Sequence, residues 1–129
     1  YFTYGMHFCM NVSTEPEGTG SAVLLRAAAV VVGEDHVRHR RGQKHRERDL
    51  VRGPGRLAQG LGVDRDWNGV DLLDPAAPLR LAADGWSPPP EALREGPRVG
   101  IRAAAEEPWR FWIEGLPEVS RYTRHPRAE

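Results

Sequence analysis

The first twelve residues, YFTYGMHFCMNV, constrain the chain more than any other stretch. Aromatic and β-forming residues flank the pair Tyr4-Gly5. Such a run predicts two short strands joined by a tight turn, with the glycine supplying any positive φ. In the second strand Phe8, Met10 and Val12 share one face and His7, Cys9 and Asn11 the other, because side chains alternate along a strand. The first three are expected in the core. Asn11 is then a polar residue on the opposite face, suited to lie over a cavity. Tyr4 falls at the turn and is expected to project away from the sheet. An aromatic there, with a methionine two residues on, is a poor surface choice unless it meets something apolar. A gap between stacked bases is one such partner, since proteins that kink duplexes push apolar wedges into a base step. The pattern alone leaves the alternative open that Tyr4 folds back onto the protein and Met6 is core.

The rest of the chain alternates strand and helix signals with punctuation. Residues 13–20, STEPEGTG, are turn-forming. SAVLLRAAAVVV (21–32) is apolar enough to predict a central strand buried on both faces, with Arg26 in its middle. A charge at that place needs a partner or a wet cavity. Residues 33–48 read as a basic helix starting near Glu34, and residues 52–63 contain a short helix with Pro54 in its first turn and glycines at its borders. Residues 64–90 are loop-rich, with room for short elements around Leu72 and Leu79. Two strand-like runs follow, at 97–104 and 109–115, and the last nine residues read as a surface tail. This order predicts one α+β domain over 1–129, built on a curved, largely antiparallel sheet with a protruding hairpin and flanking helices.

Composition sets the outer limits. The chain has 129 residues, enough for one modest core. No apolar run approaches the roughly 20 residues of a membrane span, and no signal-peptide pattern opens the chain. With Cys9 as the lone cysteine, neither an internal disulfide nor a thiolate metal site is available. A reducing, cytoplasmic compartment is therefore expected, and Lys44, the only lysine among 18 basic residues, fits a GC-rich, prokaryotic genome. Net charge is zero but unevenly spread. Residues 36–56 hold eight Lys or Arg against Glu47 and Asp49, a net of +6, and residues 57–97 carry a net of −4. A basic segment on a neutral body suits a face that meets a polyanion, or equally a solvated helix with charged flanks. His36, His39 and His45 could in principle ligate a metal, but the arginines around them repel a cation, so no metal is expected.

The string YFTYGMHFCMN, then AVLLRA, RDLVRGPGRLAQGLG, GPRVGI and WRFWIEG, closely resembles the alkyladenine (3-methyladenine) DNA glycosylase family of the mammalian type. The blocks come in the family's order and cover nearly the whole chain. The resemblance implies a monomeric α+β enzyme of base-excision repair, with no cofactor and no metal. It would act on double-stranded DNA, flipping 3-methyladenine, 7-methylguanine, hypoxanthine or ethenoadenine and hydrolysing the N-glycosidic bond. It further implies that Tyr4 is the wedge entering the minor groove, with Met6 and His7 packing on sugar and base edges beside it. The family often has tyrosine where this chain has His7. Tyr1 matches a residue lining the base pocket. Asn11 matches the asparagine on the pocket floor that clashes with the exocyclic amine of guanine. Arg26 matches an arginine near the target phosphate and the attacking water, and Gly55 and Arg56 match a helix entry that touches phosphates.

One departure bears on activity. The family's general base is a glutamate in a Glu-Ala-Tyr motif ahead of the hairpin, and no such motif occurs in these residues. Glu15 and Glu17 do not fit it. The fragment alone is therefore expected to be inactive, and two rivals follow. One is a non-catalytic module for kinked or lesion-bearing DNA, the other an RNA-contacting accessory domain of similar fold.

Overall fold

The structure, a computed structural model, describes residues 1–129. By their contacts the residues form two compact units, Tyr1–Ala83 and Asp84–Glu129. The class is α+β as expected: two antiparallel strand pairs come first, the helices follow, and a third strand pair closes the order. The pairing is distributed over three two-stranded ladders.

In the first unit, β1 (Phe2–Thr3) and β2 (His7–Phe8) form the expected hairpin, with Phe2 opposite Phe8 and Thr3 opposite His7. The ladder extends one step further: the Tyr1 amine donates to the Cys9 carbonyl and the Cys9 N–H to the Tyr1 carbonyl, both at 2.8 Å. Past Cys9 the chain changes partner. β3 (Met10–Ser13) pairs with β4 (Ala22–Leu25), Met10 facing Leu25 and Asn11 facing Leu24. The expected alternation holds along β3, with Met10 and Val12 half-buried and Asn11 and Ser13 exposed.

The expectation of a long central strand over 21–32 fails. Burial on both faces requires partners at both edges and a layer on each side. β4 has only β3 beside it, its Val23 is exposed, and Val31 and Val32 further on are 90% and 88% exposed. The strand stops at Leu25, and Ala27 bridges to Arg52 instead. Arg26 thus lies beyond the strand end and half-buried, so its charge never occupies the middle of an apolar strand.

α1 (Glu34–Arg41) begins where predicted but ends seven residues early. Its sequence suits the helix dipole, with Glu34 and Asp35 in the first turn and arginines in the last. Gly42, at φ 106°, then breaks the helical path. α2 (Pro54–Leu61) matches its punctuation: Pro54 occupies the first turn, and Gly62, at φ 70°, closes it. There the Val63 and Gly62 N–H groups donate to the Ala58 and Gln59 carbonyls, a Schellman closure. The core of this unit is Val37, Leu50, Val51 and Leu57, with Met10, Leu25 and Val30 packed against it. Gly60 permits the helices to meet, because a Cβ there would stand 2.6 Å from Val51 Cγ1 and 3.2 Å from Val37 Cγ1.

In the second unit β5 (Leu93–Gly96) pairs with β6 (Arg110–Ile113), Leu93 facing Ile113 and Gly96 facing Arg110. The run 109–115 is a strand as expected, whereas 97–104 is not. Pro97 has no N–H to offer a ladder. Gly100 turns the chain at φ 70° and spends its N–H on the Thr123 carbonyl.

Candidate nucleic-acid interface

The β1–β2 turn closes through a hydrogen bond from the Met6 N–H to the Thr3 carbonyl, 3.1 Å long. Its two central residues both have positive φ, Tyr4 at 53° and Gly5 at 65°. Positive φ at both central positions is the mark of a type I′ turn, here inside a three-residue loop, Tyr4 to Met6, between the paired Thr3 and His7. Glycine adopts it freely; tyrosine does so against roughly 1–2 kcal/mol of steric cost. The Tyr4 side chain is 81% exposed and the Met6 side chain 68%. Both therefore project from the tip, and neither folds back into a core. Behind them the Phe2 and Phe8 rings meet at 4.9 Å between centroids, tilted by 47°, which stiffens the root of the hairpin.

The opposite face of the hairpin stands on α2. The approach is close enough that a Cβ on Gly55 would lie 3.0 Å from His7 Cγ and 3.1 Å from His7 Cβ. An open cleft of about 570 Å³ runs beside this contact, with Met6, His7 and Phe8 on the hairpin side and Arg40, Gly55 and Gln59 on the helical side. Arg56 follows Gly55 in the first turn of α2 and is exposed.

The structure thus gathers five of the residues singled out in the sequence, Tyr4, Met6, His7, Gly55 and Arg56, on the hairpin and the helix turn beneath it. Three others lie apart from the cleft lining. Tyr1 is 57% exposed beside Cys9. Asn11 is exposed on β3, and Arg26 follows β4.

The basic segment is less free than its charge suggests. Arg38 binds Glu34 at 2.5 Å and the His45 carbonyl at 2.7 Å. Arg40 donates to the Gly60 carbonyl at 2.9 Å, serving an end of α2 that has run out of helical donors. Arg41 reaches the Leu50 carbonyl at 2.9 Å and the Gln59 amide oxygen at 2.6 Å. Burial pulls the Arg41 pKa down, and the positive charge of Arg56 adds to the shift. Two guanidinium groups near enough to feel each other make this corner favourable to an anion. Lys44, Arg46, Arg48 and Arg56 remain exposed. The role of Arg40 in lining the cleft had no signal in the sequence beyond membership of a basic run.

The sequence pattern of the family described as methylpurine-DNA glycosylase matches residues 1–117. The chain belongs to the methylpurine-DNA glycosylase family. A protein of Nocardia farcinica (strain IFM 10152) is 53% identical over 130 residues, covering 99% of this chain and 60% of its own length. Proteins of Mycobacterium bovis (strain BCG / Pasteur 1173P2) and Mycobacterium tuberculosis (strain ATCC 25618 / H37Rv) are each 48% identical over 128 residues, covering 99% of this chain and 61% of their own. All three carry provisional names as 3-methyladenine DNA glycosylases. The chain therefore spans about 60% of the length of the curated relatives it matches. No helix is long and apolar enough to cross a membrane.

Proposed function

We propose that these residues are the DNA-engaging part of a bacterial, cytoplasmic DNA glycosylase of base-excision repair. The enzyme flips alkylated or deaminated purines out of duplex DNA and hydrolyses their N-glycosidic bonds. Family membership supports the class of reaction. The observation that carries the mechanism is Tyr4, a solvent-exposed aromatic held at positive φ in the three-residue loop at the tip of the hairpin. A non-glycine residue in that conformation persists only when its surroundings impose it, and such strain clusters at functional sites.

In this reading Tyr4 fills the gap left by the extruded nucleotide, and stacking against the neighbouring bases offsets the cost of unstacking. Met6 packs beside it. Arg56 and the N–H groups opening α2 hold phosphate oxygens, where a helix N-terminus favours an anion. Tyr1 contacts the flipped purine, Asn11 rejects guanine by opposing its exocyclic amine, and Arg26 lies near the target phosphate. Alkylation at N3 or N7 gives the purine a positive charge and makes it a good leaving group. Hypoxanthine needs an acid to assist. The general base that activates water is assigned to none of the residues here, and the chain acts as a monomer without a cofactor.

The test is binding of this chain to a hypoxanthine-containing duplex and to the undamaged duplex at equal salt. Preference for the lesion, without base release by these residues alone, is the expected result. Equal affinity for the two duplexes refutes the flipping mechanism and leaves only charge-driven binding.

A further inference from the structure

We propose that His7 is a positioning residue: seated on Gly55 of α2, it sets the height of the hairpin from which Tyr4 projects, and it acts on DNA through Tyr4 rather than by touching it. This rests on the wedge reading above. The resemblance alone had His7 packing on sugar and base edges, whereas its contact lies on the protein side.

The hairpin cannot orient itself. Its named ladder is two residues long on each side, Phe2 opposite Phe8 and Thr3 opposite His7, and an isolated pair of strands that short is marginal in water. Support has to come from another element, and α2 is the helix packed on β2. At the contact a Cβ on residue 55 would lie 3.0 Å from His7 Cγ, 3.1 Å from His7 Cβ and 3.4 Å from Nδ1. Rotation about χ1 would move Cγ and Nδ1 but leave Cβ at 3.1 Å, so the two elements would have to part by a few tenths of an ångström. Gly55 has no positive φ to explain it. Glycine inside a helix costs about 1 kcal/mol relative to alanine, and the close approach of His7 is what it permits here. His7 is also three residues beyond Tyr4 and adjacent to Met6, so a shift at the seat is transmitted directly to the tip. The strained Tyr4 backbone needs such external restraint to persist.

The experiment uses this chain and a duplex carrying hypoxanthine next to 2-aminopurine, whose fluorescence rises when its neighbour leaves the stack. Tyr4→Ala is expected to lower preference for the lesion duplex roughly five- to 150-fold, the worth of one stacked base. His7→Ala should lower it less, weaken the fluorescence rise, and add nothing when combined with Tyr4→Ala. Its affinity for undamaged duplex at low salt should equal that of the wild type. Gly55→Ala, which pushes on the same seat without removing His7, should likewise lower the lesion preference and weaken the fluorescence rise, and circular dichroism shows that each variant is folded. Additive losses in the double variant, or a weaker grip on undamaged duplex, would mean that His7 touches DNA and overturn the inference alone. Wild-type lesion preference in both His7→Ala and Gly55→Ala overturns it as well. An unchanged preference in Tyr4→Ala brings down the wedge reading itself, and the inference with it.

Discussion

The two hairpins at opposite ends of this chain each press a ring onto a glycine, and they use the contact to different ends. In β1–β2 the ring is His7 and the glycine, Gly55, belongs to a helix outside the hairpin. In β5–β6 the ring is Trp112 and the glycine, Gly96, lies on the facing strand, where a Cβ would come within 3.2 Å of Trp112 Cη2. Arg110 stacks on the same indole at 4.5 Å and donates to the Ser120 carbonyl at 2.6 Å. It is only 7% exposed, and burial pulls its pKa down, partly opposed by Tyr122. The second hairpin thus seats its ring on its own facing strand, with Arg110 tying it to Ser120 beyond β6, while the first leans on a helix and holds its strained tip in water. Both expose aromatics, since Trp109 and Phe111 are as open as Met6. Exposure alone therefore does not mark a binding element. What separates Tyr4 from Phe111 is a backbone conformation that costs free energy and that no packing inside the hairpin requires.

Removing Arg110 breaks this contrast hardest. Arg110→Ala forfeits a charge-assisted hydrogen bond and a stacked cation, together about 3 kcal/mol. Urea unfolding followed by tryptophan fluorescence should show a midpoint shift of that size. A loss below about 1 kcal/mol would show that the stack is ornamental, because a Ser120 carbonyl stripped of its charged donor and an indole stripped of its cation should together cost more.

The tip of the first hairpin should respond in the opposite sense. Tyr4→Asn turns the central pair into Asn-Gly, the pair a type I′ turn favours. Stability should rise by about 1 kcal/mol through relief of the left-handed conformation, while discrimination of lesion duplex falls by about 1–3 kcal/mol. Denaturation and a binding titration on the same sample decide the matter. A loss of stability in Tyr4→Asn would mean that the tyrosine is held for packing, and the two hairpins would then be alike.

How much of this was legible in the sequence follows from how local each cause is. The turn at Tyr4-Gly5 and the limits of α2 depend on glycine and proline within a few residues, so pattern alone placed them. The basic pattern suggests a longer α1 than the protein forms, because charge continues past Arg41 although Gly42 ends the helix. The strand at 97–104 was misplaced because alternating residues there mimic a ladder, while the true partner of β6 is Leu93–Gly96, short and half charged. A partner strand is a long-range fact that no window on the sequence contains. The same holds for the site. Tyr4, Met6 and His7 are near neighbours and were found together, and Gly55 and Arg56 join them only through the packing of α2 on β2. The arginines of α1 were read as a face for a polyanion. Several instead serve backbone carbonyls at Gly60, Leu50 and His45, and where carbonyls run short cannot be known before the helices are placed.

Gly96 gives a smaller and finer probe of the closed hairpin. In Gly96→Ala the new methyl group would crowd Trp112, whose indole is also held by the stacked Arg110. Overpacking of one methyl group against a pinned ring should cost about 1 kcal/mol. The same substitution in the Arg110→Ala background should cost less, because the ring is free to move, and a double-mutant cycle by urea unfolding measures the difference. Equal costs in the two backgrounds would show that Arg110 does not hold the indole.

The smallest effect belongs to the most visible contact of that hairpin. Arg94 and Glu114 form an ion pair across its edge, both side chains largely in water. Such pairs gain little, because solvent screens the charges and two long side chains must be ordered. Arg94→Ala should therefore change stability by less than about 0.5 kcal/mol, and raising the salt concentration should erase even that. A larger, salt-sensitive loss in a urea titration would place the strength of β5–β6 at its charged edge. The contrast with β1–β2 would then rest on electrostatics, and the buried stack of Arg110 on Trp112 would lose its claim to be what holds this hairpin.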